Sequence, residues 1–218
     1  MKAIVLVIAC LAMRSVGVSG AQPGLHWDGS QGDYFGDDDG PFTVGFRFRA
    51  ETDFVVTGFG AFDYLGDGFG HSHTIGLWDA ASGSLIATAT VNPGNGASLV
   101  GQFRYVDVAG VTLAANREYI VAASEFYGAT RDLYVSVPAT AFKMAPGLSY
   151  LAPRSAAEAP GLVFPELEIG APLSGMFGAN LQVTAVPEPA SWALLVVSFG
   201  WGWAVWVRSR GTLDRKVA

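Results

Sequence analysis

The chain has 218 residues, half of them hydrophobic and 15% charged, with 28 glycines, 11 prolines, one cysteine and a formal charge of −6. Between residues 22 and 185 only seven basic residues face seventeen acidic ones, a balance of −10. An acidic body of this kind lacks the basic footprint that nucleic acids and anionic lipids require, and its length suits one domain with a sizeable core.

Residues 1–21 read as a secretory signal peptide. Lys2 supplies a basic start, residues 3–13 an apolar run, and Val18-Ser19-Gly20 or Ser19-Gly20-Ala21 the small residues of a cleavage site. Val7-Ile8-Ala9-Cys10 has the order of a lipobox, but the apolar run before Cys10 is short for lipidation. Removal of this segment leaves a body without cysteine, hence without disulfides.

An acidic glycine-rich stretch follows. Asp33, Asp37, Asp38 and Asp39 offer carboxylate oxygens of the kind Ca²⁺ takes, although their spacing is not that of an EF-hand and a solvated acidic turn is the alternative. No other cofactor is expected. Asp63 and Asp67 around Gly66-Asp67-Gly68 form a second, similar candidate.

From residue 41 to about 124 the rhythm is that of a β-sandwich: short alternating runs separated by Gly, Asp, Asn and Pro. Phe42, Val44, Phe46 and Phe48 fall on one face of a strand, with Thr43, Gly45, Arg47 and Arg49 on the other. Further strands are expected at 54–62, 74–78, 84–91, 102–106 and 119–123. Residues 79–83 read as a hairpin turn and 92–96 as a wider loop. His71 and His73 would share a strand face, as a metal pair requires, but no third ligand stands nearby, so packing is the simpler role.

The succession from Phe54-Val55-Val56-Thr57-Gly58-Phe59 through His73-Thr74-Ile75-Gly76-Leu77-Trp78-Asp79 to Tyr119-Ile120-Val121 resembles an uncharacterised jelly-roll-like module found in exported proteins. The resemblance covers about eighty residues and implies a binding or structural role. In that module the last strand usually opens on Ala-Gly, whereas Asn116 and Arg117 stand here. Asn tolerates the left-handed conformation, so the turn survives.

Residues 138–179 read as an excursion rich in Pro, Ala and Gly. It either packs over one end of the sandwich through Phe142, Met144, Leu148, Tyr150, Leu162 and Phe164 or is partly mobile. A strand is expected at 133–137, and another at 180–184 closes a body spanning 22–185.

The remaining residues, 186–218, combine three features. Val186, Pro187, Glu188 and Pro189 form an extended, accessible peptide. Residues 190–207 carry no charge and as a helix would reach about 27 Å, enough to span a bilayer core. Arg208 and Arg210 open a basic tail, 208–218, that the positive-inside rule keeps in the cytoplasm. This order resembles the PEP-CTERM sorting signal of Gram-negative surface proteins, a motif also labelled the ice-binding protein C-terminal domain. The resemblance implies export, an inner-membrane-anchored precursor and an exosortase as partner. It further implies that this enzyme releases or attaches the exported body, which ends at the cell surface or in the extracellular matrix.

No nucleophile elbow, paired glycosidase carboxylates or phosphate loop is present, so catalysis is not expected. Trp27, Tyr34, Phe35, Phe69, Tyr105, Tyr127 and Tyr134 lie in or near loops where rings would stack on sugar faces, Trp27, Tyr34 and Tyr127 foremost, which makes extracellular polysaccharide a further candidate partner. The expected architecture is all-β: a single jelly-roll-like β-sandwich between a signal peptide and one transmembrane helix. The expected role is a non-enzymatic structural or adhesive surface protein, with a carbohydrate-binding module and then a secreted hydrolase as alternatives.

Overall fold

The structure is a computed structural model that describes residues 20–36, 41–126, 132–156, 160–168 and 174–186. The expected signal peptide lies almost wholly outside these residues. The expected membrane span at 190–207, together with Pro187, Glu188, Pro189, Arg208 and Arg210, lies entirely outside them. Among the described residues no helix is long and apolar enough to cross a membrane. All of them belong to one unit, Met1–Val186.

The fold is all-β. Among the described residues fifteen strands follow one another as β1 (Gln22–Pro23), β2 (Leu25–Trp27), β3 (Asp33–Phe35), β4 (Phe42–Ala50), β5 (Phe54–Phe62), β6 (His73–Asp79), β7 (Leu85–Val91), β8 (Ser98–Val100), β9 (Phe103–Leu113), β10 (Arg117–Phe126), β11 (Tyr134–Pro138), β12 (Phe142–Met144), β13 (Leu148–Ala156), β14 (Ser174–Phe177) and β15 (Ala179–Ala185). Two five-stranded sheets dominate, ordered β1-β15-β5-β9-β8 and β13-β4-β10-β6-β7, with every pairing antiparallel. A three-stranded sheet β14-β11-β3 and the pair β12-β2 complete it. Both large sheets contribute to a single hydrophobic cluster, an arrangement consistent with a β-sandwich.

Alternation places the core. Val44, Phe46 and Phe48 of β4 are fully buried and meet Phe54, Val56 and Phe59 of β5 in that cluster. Each such phenylalanine gains about 1.5–3 kcal/mol on leaving water. Arg47 and Arg49 point away, as the pattern predicts, but Thr43 and Gly45 on the same outward face are buried as well. The reason is tertiary. Residues 160–168 cross that outer face, where Leu162 packs with Trp78, Ile120 and Ala122 in a second, small cluster.

The reading of 138–179 as an excursion is corrected here. Residues Leu148–Ala156 form β13, a nine-residue strand paired with β4 from Leu148↔Ala50 to Ala156↔Thr43. Pro153 hides it from a sequence reading because proline has no amide hydrogen to donate to a ladder. β13 is an edge, so only one side is needed, and Pro153 sits opposite Phe46 without loss. Phe142 and Leu148 enter the main core, with Met144 and Tyr150 packed against it.

The amino-terminal strands are held by a side chain that imitates backbone. Asn180 Oδ1 accepts from Leu25 N at 3.0 Å and Asn180 Nδ2 donates to Leu25 O at 2.8 Å, both within the interior. The hairpin turn at 79–83 is as expected, with Asp79 Oδ1 accepting from Ser82 N at 2.9 Å and Gly83 at φ 68°. Asn116 does adopt the left-handed conformation, at φ 60°.

Candidate functional site

Three groups of polar or aromatic side chains are brought together by the fold from residues distant in sequence. The first joins the loop after β5 to the loop before β8. Arg104 on β9 is 5% exposed, and its Nε donates to Asp63 Oδ2 at 2.6 Å. Its Nη1 donates to Asn95 O at 2.9 Å and Ala97 O at 2.8 Å, and its Nη2 to Gly66 O at 2.9 Å. Burial raises the Asp63 carboxyl above its ordinary value, against the lowering pull of Arg104 and of the Gly68 amide, which also donates to Asp63.

One carboxylate and three carbonyl oxygens arranged around the rim of the guanidinium make an oxygen-rich pocket suited to a cation. A guanidinium fills it. The Asp63 and Asp67 candidate for Ca²⁺ is therefore corrected: Arg104 already supplies the positive charge at Asp63, and Asp67 is exposed.

The second group lies where β6 meets β10. His73 is fully buried between Phe69 and Phe126, with ring centroids at 4.4 and 4.6 Å. Its Nδ1 is 2.7 Å from Ser124 O, and its Nε2 faces Asp132 Oδ2 at 3.4 Å. Burial by itself raises Asp132. The His73 ring and the amides of Gly70 and His71 outweigh this and hold the carboxyl below its ordinary value.

Serine, histidine and aspartate are thus in contact, but in an order that cannot activate a nucleophile. The histidine meets the serine's carbonyl and not its hydroxyl, whose Oγ accepts from Thr74 N at 3.3 Å, so His73 is not placed as the base for Ser124. The shared strand face expected for His71 and His73 is also corrected, while packing, the simpler role, describes His73. His71 is exposed in the loop before β6 and His73 is in the core, so they share no face.

The third group is at the surface. Tyr34 on β3 is 40% exposed and lies against Phe62 (6.2 Å, 17° between planes) and Tyr64 (4.6 Å, 56°). Leu65 beside Tyr64 is 75% exposed and at φ 64°, a conformation bulky residues rarely adopt. Phe35 projects from the same strand and stacks at 5.9 Å on Tyr134, its register partner. Tyr34 therefore presents an exposed phenol on an aromatic bed, suited to the apolar face of a sugar ring.

Trp27 does not join it. Only 3% exposed, it contacts Phe62 at 5.9 Å and donates from Nε1 to Ser30 O at 2.6 Å, so the stacking role proposed for it is replaced by a core role. Asp33 is exposed on β3 opposite Ser136, whereas Asp37, Asp38, Asp39 and Tyr127 lie outside the described residues. Among the described residues no group of three or more His, Cys, Asp or Glu side chains is placed to hold a metal ion. Val186, the first residue of the expected Val186–Pro189 peptide, is 39% exposed and donates its amide to Asp53 O at 3.0 Å, whereas the rest of that peptide lies outside the described residues.

Sequence reasoning missed the Asp63–Arg104 and His73–Asp132 pairs because their partners are 41 and 59 positions apart with no motif between them. Tyr64 and Leu65 were missed because a loop with a strained leucine gives no periodic signal. What the fold and these groups define is an all-β module whose ionisable side chains hold loops and whose strand β3 exposes two adjacent aromatic residues, Tyr34 and Phe35.

The chain belongs to the family described as Domain of unknown function (DUF4082), whose model matches residues 30–157. That span runs from just before β3 to the end of β13 and omits β15, which nevertheless pairs with β5 inside one of the two large sheets. No curated protein matches the chain.

Proposed function

We propose that this protein is an exported, non-enzymatic, jelly-roll-like module with a structural or adhesive role at the cell surface or in the extracellular matrix. Its C-terminal signal, Val186 to Pro189 followed by the apolar run and Arg208 and Arg210, is the substrate of an exosortase. The observation that carries the non-enzymatic part is the internal use of the reactive groups. Asp63 and Arg104 satisfy each other, and Ser124, His73 and Asp132 are locked in a non-catalytic order. Export and sorting rest on the sequence of residues 1–21 and 186–218.

Intact-mass measurement of the surface-exposed protein tests the sorting. A carboxyl terminus between Val186 and Pro189 is the expected result, and retention of Arg208 to Ala218 would overturn it. Loss of a hydrolytic activity when single body carboxylates become amides would overturn the non-enzymatic reading.

Carbohydrate binding is the second reading, favoured by Tyr34 on its bed of Phe62 and Tyr64. A glycan array separates the two. Saturable binding abolished by Tyr34→Ala supports the carbohydrate-binding module, and no binding across extracellular polysaccharides supports the structural one.

A further inference from the structure

Residues 80–103 contain no Asp, Glu, Lys or Arg, twenty-four consecutive uncharged positions in a body whose balance is −10. This segment supplies one edge of each large sheet: β7 ends the sheet β13-β4-β10-β6-β7, and β8 ends the sheet β1-β15-β5-β9-β8. β7 also lies against β9, the neighbour of β8, so the two edges occupy one side of the molecule. Leu85, Ile86, Leu99 and Val100 all stand there at 40–52% exposure.

Edge strands carry unpaired backbone donors and acceptors, and proteins that stay apart protect them with proline, charge or brevity. The opposite edges here are protected. β13 carries Pro153 and Arg154, the latter ion-paired with Glu168, and β1 is two residues long and includes Pro23. β8 is uncharged but only three residues long. β7 has seven residues, Leu-Ile-Ala-Thr-Ala-Thr-Val, with no proline, no charge and four β-branched side chains besides its leucine. Its one irregularity is a register shift beside Trp78, which leaves Ala87 to Val91 in regular pairing.

We infer that the edge of β7 is a self-association surface at which a second copy of this chain adds by antiparallel strand pairing. A second copy is the occupant that the charge distribution favours. Two bodies of this net charge repel wherever acidic faces meet, and a charge-free edge is where they approach at least cost. Antiparallel self-pairing is two-fold symmetric, so one surface serves both copies. Centred on Thr88, it sets Thr88 opposite Thr88 of the second copy and Ala87 opposite Ala89, leaving small side chains in the new ladder. The inference deepens the structural reading above by naming the partner. It rests on that reading for its purpose and on the edge itself for its geometry.

Sedimentation velocity of the full chain in mild detergent, over a concentration series, tests it beside Ile86→Lys/Thr88→Lys. The wild type is expected to pass from monomer to dimer with concentration, and the double variant to remain monomeric with an unchanged far-ultraviolet spectrum. A wild type that stays monomeric overturns the inference, as does a folded variant that associates equally, the result expected if the apolar carboxyl-terminal run drives association.

If the lysines unfold the chain, Cys10→Ser/Thr88→Cys decides. Oxidation should yield a disulfide-linked dimer, while Cys10→Ser/Ser149→Cys, on the protected β13 edge, should not. Equal crosslinking of the two, or none at Thr88, overturns it. A monomeric chain that is still sorted and non-hydrolytic removes only this inference; edge pairing by a chain that proves hydrolytic removes only the functional reading.

Discussion

Arg104 Nε donates to Asp63 Oδ2 at 2.6 Å with both side chains almost fully buried, and the same guanidinium closes on three backbone carbonyls. One residue of β9 thereby joins the loop after β5 to the loop before β8. A buried pair is worth most when one partner is removed, because the other is left charged in a poor solvent.

Arg104→Met is accordingly expected to cost about 3–5 kcal/mol. Asp63→Leu/Arg104→Met should recover part of that loss, since neither charge then remains. Urea titrations of the three proteins check this, and equal stability of the single and double variants would remove Arg104 as the keystone of these loops.

Asp132 sets an acid limit. Its carboxyl is held below the ordinary value of 3.8 in the folded protein, so its contribution is complete above that value and is lost as pH falls through the folded value. Thermal melts between pH 6 and 3 should fall more steeply for the wild type than for Asp132→Asn. At pH 7 the variant should be less stable by about 1–3 kcal/mol, the cost of a buried donor losing its charged acceptor. Asp63, whose carboxyl is raised, works in the opposite direction and does not steepen the acid limb.

Leu65 stores strain at the surface. It is at φ 64° and 75% exposed, so little packing repays the conformation. Leu65→Gly should stabilise the protein by about 1 kcal/mol, because glycine takes positive φ without the Cβ clash. A lower melting temperature for Leu65→Gly would mean that the leucine makes contacts worth more than its strain.

Trp78 reports on residues 160–168. Its ring lies over Gly76, where an added Cβ would come within 2.4 Å of the indole, and Leu162 and Phe164 cover it so that only 4% is exposed. Leu162→Ala/Phe164→Ala should shift indole emission to the red while Trp27 stays buried. An unchanged spectrum would show that something else covers Trp78.

Much of the fold was legible. Val44, Phe46 and Phe48 announced β4 by alternation, and Asp79-Ala80-Ala81-Ser82-Gly83 announced its turn, because period-two burial and turn chemistry act over a few residues. β13 was not legible, because Pro153 reads as a strand breaker until its edge position is known. Of the aromatic residues singled out, Tyr34 is exposed and Trp27 is buried; composition and local pattern are similar for both, and only their distance from Phe62 and the core distinguishes them.

What the sequence by itself determined is an acidic, cysteine-poor, all-β body with an uncharged run at 80–103, since composition and alternation are properties of the chain alone. Tertiary structure decided which carboxylates are spent on Arg104 and His73, which aromatic residues reach the surface, and that the uncharged run ends two sheets on one side. Those outcomes depend on strand order, and strand order is set by pairings such as Ala156↔Thr43 of β13 and β4 and Ala179↔Ala61 of β15 and β5, distant in sequence, that no local pattern encodes.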